Sequence, residues 1–427
     1  MDAATRRFER YLDQLASAVG HADRREPLRA YLTGLCLPGE RKSIEPMAAR
    51  VDPRHVRARH QSMHHFVAHA PWDDHVVLRT ARQMALDSLE RHGPVAAWIV
   101  DDTGFPKKGR HSVGVTRQYC GVLGKQENCQ VAVSLSLANE VASIPVAYDL
   151  YLPESWAADR GRRAAVGVPD EIVFRTKWQI ALDQVSALRL DELPPAPVVA
   201  DAGYGQITAF RDRLSEAEIP YVVGIPGETS VWPPGDEPLE PKRWSGRGRP
   251  PHRVRRSAAH RPTSAAALSQ TVPARSWRTV TWREGTRGAM RSRFAWLRVR
   301  PAHRDYDRPA PRPIEWLGIE WPVGETEPTK YWLSTLDEAT SVEQLVRLAK
   351  LRWRIERDYE ELKDELGLDH FEGRGWRGFH HHGTLCIAAY AFLVAERARL
   401  SPPAPLSFLR TAALPRGFKP RGAPRAA

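Results

Sequence analysis

Val95-Ala-Ala-Trp-Ile-Val-Asp-Asp102 is a short apolar run of β type that closes on two adjacent acids. Valine, tryptophan and isoleucine favour the pleated strand, and an unbroken apolar run fits a strand covered on both faces. Side chains alternate along a strand, so Trp98, Val100 and Asp102 share one face and Asp101 takes the other. Only one of the two acids can point at a given site, and spacing alone does not choose between them.

Downstream, Gln130 to Leu137 and Ile144 to Leu152 alternate in polarity around a turn at 139–143, which predicts an antiparallel hairpin. A helix is expected over about Glu171 to Leu190, then a second buried strand, Pro197-Val-Val-Ala-Asp201. Gly203-Tyr-Gly205 opens a helix to about Glu216, and Ile219 to Ile225 reads as another strand. This order describes a mixed α/β sheet with helices on both faces.

Upstream, residues 1–88 read as short helices, with apolar residues at helical spacing in Phe8, Tyr11, Leu12, Leu15 and Val19 and again from Val76 to Leu89. The basic, His-rich segment Arg50 to His69 lies between them. This region is expected to be either a helical DNA-binding domain or a helical cap on the next domain. The catalytic core would then occupy 89–226 and 339–400, separated by a β-rich insertion at 227–338. The insertion carries short aromatic strands (276–282 and 314–321), a basic loop over 241–262 and eight of the fourteen tryptophans. These tryptophans read either as core or as platforms for a nucleic-acid base. Residues 401–427 form a basic, proline-bearing tail expected to be disordered.

The chain has 427 residues and a net charge of +12, which suggests a polyanionic partner. Four cysteines without a CxxC pair give no zinc or disulfide framework. The N-terminus is too charged for a signal peptide. The longest apolar run, Thr384 to Ala395, is shorter than the roughly 20 residues that span a bilayer. A cytoplasmic, nucleoid-associated protein is the expectation.

Leu351-Arg-Trp-Arg-Ile-Glu-Arg-Asp-Tyr-Glu-Glu-Leu-Lys363 is amphipathic as a helix, entered through a capping box at Thr340 and Glu343. At about 100° per residue, Arg352, Glu356 and Lys363 fall within about 40° of one another, bordering the stripe of Leu348, Ile355, Tyr359, Leu362 and Leu366. Such a face is either a solvated one, with i,i+4 pairs worth about 0.3–0.5 kcal/mol each, or a pre-positioned carboxylate flanked by two cations. Asp102, Asp201 and Glu356, from three distant segments, offer the hard oxygen ligands of Mg²⁺ or Mn²⁺. Two such ions suit phosphodiester chemistry. Lys107, Lys108 and Arg110 lie beside Asp102, as contacts to a strand being cut or as a solvated turn. His380, His381 and His382 are consecutive, so they point apart and are expected to pack or meet phosphates rather than bind zinc.

The chain resembles the DDE transposases of bacterial insertion sequences, which have an RNase H-like core. The branch with an insertion between the second Asp and the Glu carries a Y-x2-R-x3-E-x6-K signature, and Arg352, Glu356 and Lys363 match its last three letters. Asp101-Asp-Thr-Gly-Phe-Pro-Lys-Lys-Gly109 looks like the family's first-Asp block, in which the acid directly before Thr is the ligand; the resemblance therefore favours Asp102. Val199-Ala-Asp-Ala-Gly-Tyr-Gly205 looks like the second-Asp block. Asp369 to His382, with Arg374 and Arg377 as candidate DNA contacts, resembles the tail of this branch. The likeness runs over roughly 30–400, in the same order. Ala349 stands where the signature has Tyr, with Tyr359 as a substitute phosphate contact.

The resemblance implies metal-dependent cleavage at the element's ends and attack of the freed 3′-OH on target DNA. Asp102, Asp201 and Glu356 would be catalytic, Arg352 and Lys363 would hold phosphates, and a homodimer would act on paired inverted repeats. A nuclease that cuts without joining, and a non-catalytic DNA-binding regulator, are the alternatives.

Overall fold

The computed structural model describes residues 2–285 and 288–400; the expected disordered tail lies outside the described residues. Five helices come first: α1 (Ala3–Ala18), α2 (Ala22–Cys36), α3 (Ile44–Val51), α4 (Val56–Ala68) and α5 (Asp74–Glu90). Strands β1 (Ala97–Pro106), β2 (Thr116–Cys120), β3 (Lys125–Ala138) and β4 (Ser143–Leu150) follow, then α6 (Glu154–Ala157), α7 (Arg160–Ala165), α8 (Lys177–Leu190), β5 (Val198–Ala200), α9 (Ala202–Gly205) and α10 (Thr208–Glu216). Next come β6 (Tyr221–Ile225), β7 (Ser230–Trp232), β8 (Thr263–Ser264), α11 (Ala265–Ser269), β9 (Arg278–Gly285), β10 (Gly288–Pro301), β11 (Glu315–Pro322), β12 (Lys330–Ser334) and α12 (Val342–Lys350). The series ends with α13 (Trp353–Asp364) and α14 (Trp376–Leu400).

These elements form two compact units. Of the described residues, one holds 2–219 together with 351–400, and the other holds Pro220 to Lys350.

In the first unit β1 pairs antiparallel with β3 and parallel with β5, while β3 pairs antiparallel with β2 and β4 along its other edge. The order β4–β3–β1–β5, antiparallel and then parallel, is RNase H-like, and the fold is a mixed α/β sheet flanked by helices. The β3–β4 hairpin closes as its alternation requires: Asn139 Oδ1 accepts from the amides of Val141 and Ala142, both at 2.9 Å. The first strand departs from expectation. It runs through both acids to Pro106, because β3 supplies partners as far as Cys129, so Asp101 and Asp102 lie within the strand rather than at its end.

Strand register assigns the helices to opposite faces. Asp102, Val133 and Asp149 share one row across β1, β3 and β4, and Asp101, Ser134 and Tyr148 share the neighbouring row on the other face. Gln184 of α8 donates to Asp149 Oδ2 at 2.7 Å, which puts α8 on the Asp102 face. On the Asp101 face, Tyr359 of α13 bonds Ser134 at 2.7 Å, and Phe379 of α14 stacks on Tyr148 with ring centroids 5.6 Å apart. All three consecutive histidines of α14 are buried and packed: His381 bonds the carbonyls of Val67 and Trp72, and His382 bonds Tyr31 Oη and the Gly367 carbonyl. Among the described residues no helix is long and apolar enough to cross a membrane.

The second unit is an antiparallel sheet in the order β6–β12–β11–β10, with β9 on the far edge of β10; β7 pairs the end of β10 and β8 pairs β7. Its core holds a buried ion pair. Lys350 Nζ sits 2.6 Å from Glu320, which also accepts from Ser292, and the ammonium is 4.6 Å from the Trp282 ring centroid and 5.6 Å from that of Trp332. These tryptophans line a cation rather than a solvent platform. The basic loop 241–262 carries an isolated bridge, Leu239 to Arg255, and Arg256 is tied to buried Asp305. Helix α12 starts one residue later than expected: the reciprocal cap is between Ser341 and Gln344 instead of Thr340 and Glu343.

Candidate active site

The site lies wholly in the first unit. Period-two alternation through β1 puts Asp101, Thr103 and Phe105 on one face, and α13 meets all three. Arg352 donates to Asp101 Oδ2 at 2.7 Å, Lys363 Nζ to Thr103 Oγ1 at 2.7 Å and the Gly104 carbonyl at 3.1 Å, and the same ammonium stands 5.1 Å from the Phe105 ring centroid. Lys363 is therefore tied to the strand beside the acids. Arg352 caps α13 in the helical region, where the expected continuous helix breaks at 351–352. From there its guanidinium reaches back to Asp101 and forward one turn to Glu356.

Asp102, the acid favoured by the resemblance, faces the other way. Lys177, the first residue of α8, approaches both of its carboxylate oxygens at 3.1 and 3.2 Å, and Tyr204 Oη donates to it at 3.3 Å. Asp201 ends β5 and caps α9, accepting from the Tyr204 amide at 3.2 Å. Tyr204 thus touches Asp201 through its backbone and Asp102 through its ring, and its buried hydroxyl ties the two strands together.

Burial pushes the Asp101 carboxyl up to about 7; Arg352 pulls it down, and the negative charges of Asp201 and Asp102 push it further up. An acid so placed ionises when a cation arrives. Glu356 is more exposed than a border position suggests, with a side chain 55% accessible.

Among the described residues no three His, Cys, Asp or Glu side chains stand close enough to hold a metal ion. Asp101 and Glu356 instead meet the Arg352 guanidinium, which neutralises them where a cation would. In donor type the set fits a hard divalent ion: carboxylates from β1, the end of β5 and α13, with a positive charge already drawn between two of them.

The basic candidates divide. Lys107 Nζ donates to the Phe371 carbonyl at 3.1 Å, and burial lowers its pKa. Lys108, Arg110, Arg374 and Arg377 are exposed, with Arg377 bonded to the His69 carbonyl at 2.9 Å. Tyr359 cannot replace the missing signature tyrosine: it is buried, and its hydroxyl is committed to Ser134.

The DDE superfamily endonuclease profile matches residues 14–289, well over half of the chain. The chain belongs to the DDE superfamily of endonucleases. It is also similar to a probable transposase for insertion sequence element IS701 from Microchaete diplosiphon, at 32% identity over 166 residues, 39% of this chain and 40% of that protein. The likeness thus spans about two fifths of the relative's length.

In this DDE protein, sequence reasoning missed Lys177, Tyr204 and Asp358. Asp358 is fully buried on the inner face of α13, accepts from Ser136, Ser143 and Tyr390 at 2.6–3.0 Å, and is pushed up by burial to about 6. Its signal was an acid between Ile355 and Leu362 on the inner side of the helix. Lys177 left no signal, because its partner lies 75 residues away.

Proposed function

We propose that this chain is an insertion-sequence transposase that cuts DNA at the element's ends and joins the freed 3′-OH to target DNA. The carrying observation is that Arg352 gathers Asp101 and Glu356 on the α13 face of β1, beside Asp201. Asp101, Asp201 and Glu356 would hold a divalent cation, Mg²⁺ or Mn²⁺, which supplies Lewis-acid charge to the scissile phosphate when bound.

The chain's own residues do the rest. Tyr204 and Lys177 fix Asp102 against the end of β5, so this acid positions the Asp201 segment. Lys363 fixes β1 beside the acids. A DNA phosphate competes with Asp101 and Glu356 for Arg352, whose planar fork suits a phosphate as well as a carboxylate. Exposed Lys108, Arg110, Arg374 and Arg377 supply cations for backbone contacts along the strand. In cleavage, a water oxygen bonds to phosphorus and the P–O3′ bond breaks. In joining, the released 3′-OH makes the corresponding attack on target DNA. The likeness to the IS701 protein supports this substrate, and a homodimer on paired inverted repeats fits two ends joined together.

The test incubates the full chain with Mg²⁺ and duplex DNA carrying the repeats that flank its coding region, beside Glu356→Gln. Cleavage and joined products from the wild type alone support the reading. Cleavage without joining reduces it to a nuclease, and cleavage surviving in Glu356→Gln refutes the site.

A further inference from the structure

Helix α4 contains no acid. Its solvent face carries Arg57, Gln61, His64 and His65, with His60 half-buried on one border and His69 capping the end. At about 100° per residue, Arg57, Gln61, His64 and Ala68 fall within about 60° of one another, so the stripe runs the helix length. The imidazoles crowd together: His60 stacks on His64 at 6.2 Å between centroids, His64 meets His69 at 5.4 Å, and His65 meets His69 at 6.0 Å. They are not a metal site, since among the described residues no such trio comes within ligand reach.

The charged neighbours are accounted for element by element. From α2, Glu26 pairs with Arg59, while His21, Asp23 and Arg24 border a cleft of about 280 Å³ that His65 also lines. Asp52, closing α3, pairs with His55 and Arg59. From α14, exposed Arg377 bonds the His69 carbonyl. Asp73 caps α5 through the Val76 amide, and Asp74 follows it at the start of that helix. Asp52 and Glu26 are thus held at the Arg59 side, leaving the Arg57–His64–Ala68 stripe free of acids.

We infer that the α4 face is a docking surface for the DNA phosphate backbone, whose grip tightens as pH falls. Burial and the neighbouring His69, His60 and His65 lower the His64 pKa in the free protein. A run of phosphates reverses that repulsion, so binding takes up protons, and affinity rises as pH falls through the histidine range. This rests on DNA as the partner but not on the metal site.

The experiment measures the affinity of the full chain for a fluorescein-labelled mixed-sequence duplex by anisotropy, at one ionic strength. Wild type is expected to bind about tenfold tighter near pH 6 than near pH 8. His64→Gln/His65→Gln should lose most of that gain. His64→Lys/His65→Lys should bind near pH 8 about as tightly as wild type does near pH 6, which a folding defect could not produce. Equal wild-type affinity at the two pH values, or an unchanged slope in the glutamine variant, overturns the proposal. Glu356→Gln should keep the full pH slope even if the metal assignment fails.

Discussion

Arg352 and Asp101 lie 251 residues apart in sequence and 2.7 Å apart in space. The same guanidinium holds Glu356, so one cation joins the strand acid to the helix acid.

A lysine cannot serve both acids with one compact ammonium, whereas the planar fork can. Arg352→Lys is therefore expected to lower cleavage nearly as far as Arg352→Gln, by about 100-fold. Both variants should retain divalent-metal affinity, because the guanidinium is not a ligand. Single-turnover cleavage beside a Mn²⁺ titration checks the pair.

Asp101 gives a pH signature in metal-free protein. Its folded-state pKa, about 7, lies above its ordinary value of 3.8. Between those values the folded state keeps a proton that the unfolded state has lost, so this group's stabilisation is present at low pH and disappears as pH rises through about 7. Wild type should lose on the order of 2 kcal/mol relative to Asp101→Asn between about pH 5 and about pH 8. Urea unfolding in EDTA at the two pH values measures it.

Asp358 holds three hydroxyl groups on the inner face of α13. Asp358→Leu strands Ser136, Ser143 and Tyr390 without their acceptor and should cost about 3 kcal/mol or more. Asp358→Asn keeps a carbonyl oxygen and should cost about half as much. Thermal unfolding distinguishes the two.

Lys350 and Glu320 are buried together in the second unit. Lys350→Met leaves a carboxylate uncompensated and should destabilise by about 3–5 kcal/mol, whereas adding Glu320→Leu should recover most of the loss. Denaturant midpoints of the three proteins test this coupling.

How legible each part was follows from the range of the interaction that makes it. The β3–β4 hairpin could be read because alternation and the Asn139 turn are local. The buried run before Asp201 announced β5 for the same reason. The passage of β1 through its acids could not be read, since β3 supplies the partners that extend it to Pro106. Nor could the helix break at 351–352, which has no proline or glycine to mark it. At the site, spacing brought Arg352, Glu356 and Lys363 to one border, but alternation left Asp101 and Asp102 undecided. The resemblance favoured Asp102; the packing of α13 on the Asp101, Thr103 and Phe105 face points to its neighbour.

The central claim is that Asp101, Asp201 and Glu356 form one divalent-metal site. Mn²⁺ binding to the full chain, followed by electron paramagnetic resonance, tests it most directly across Asp101→Asn, Asp102→Asn, Asp201→Asn and Glu356→Gln. Asp101→Asn, Asp201→Asn and Glu356→Gln should each weaken binding by about tenfold or more, while Asp102→Asn stays within about threefold of wild type. Wild-type Mn²⁺ affinity in Asp101→Asn would contradict the account.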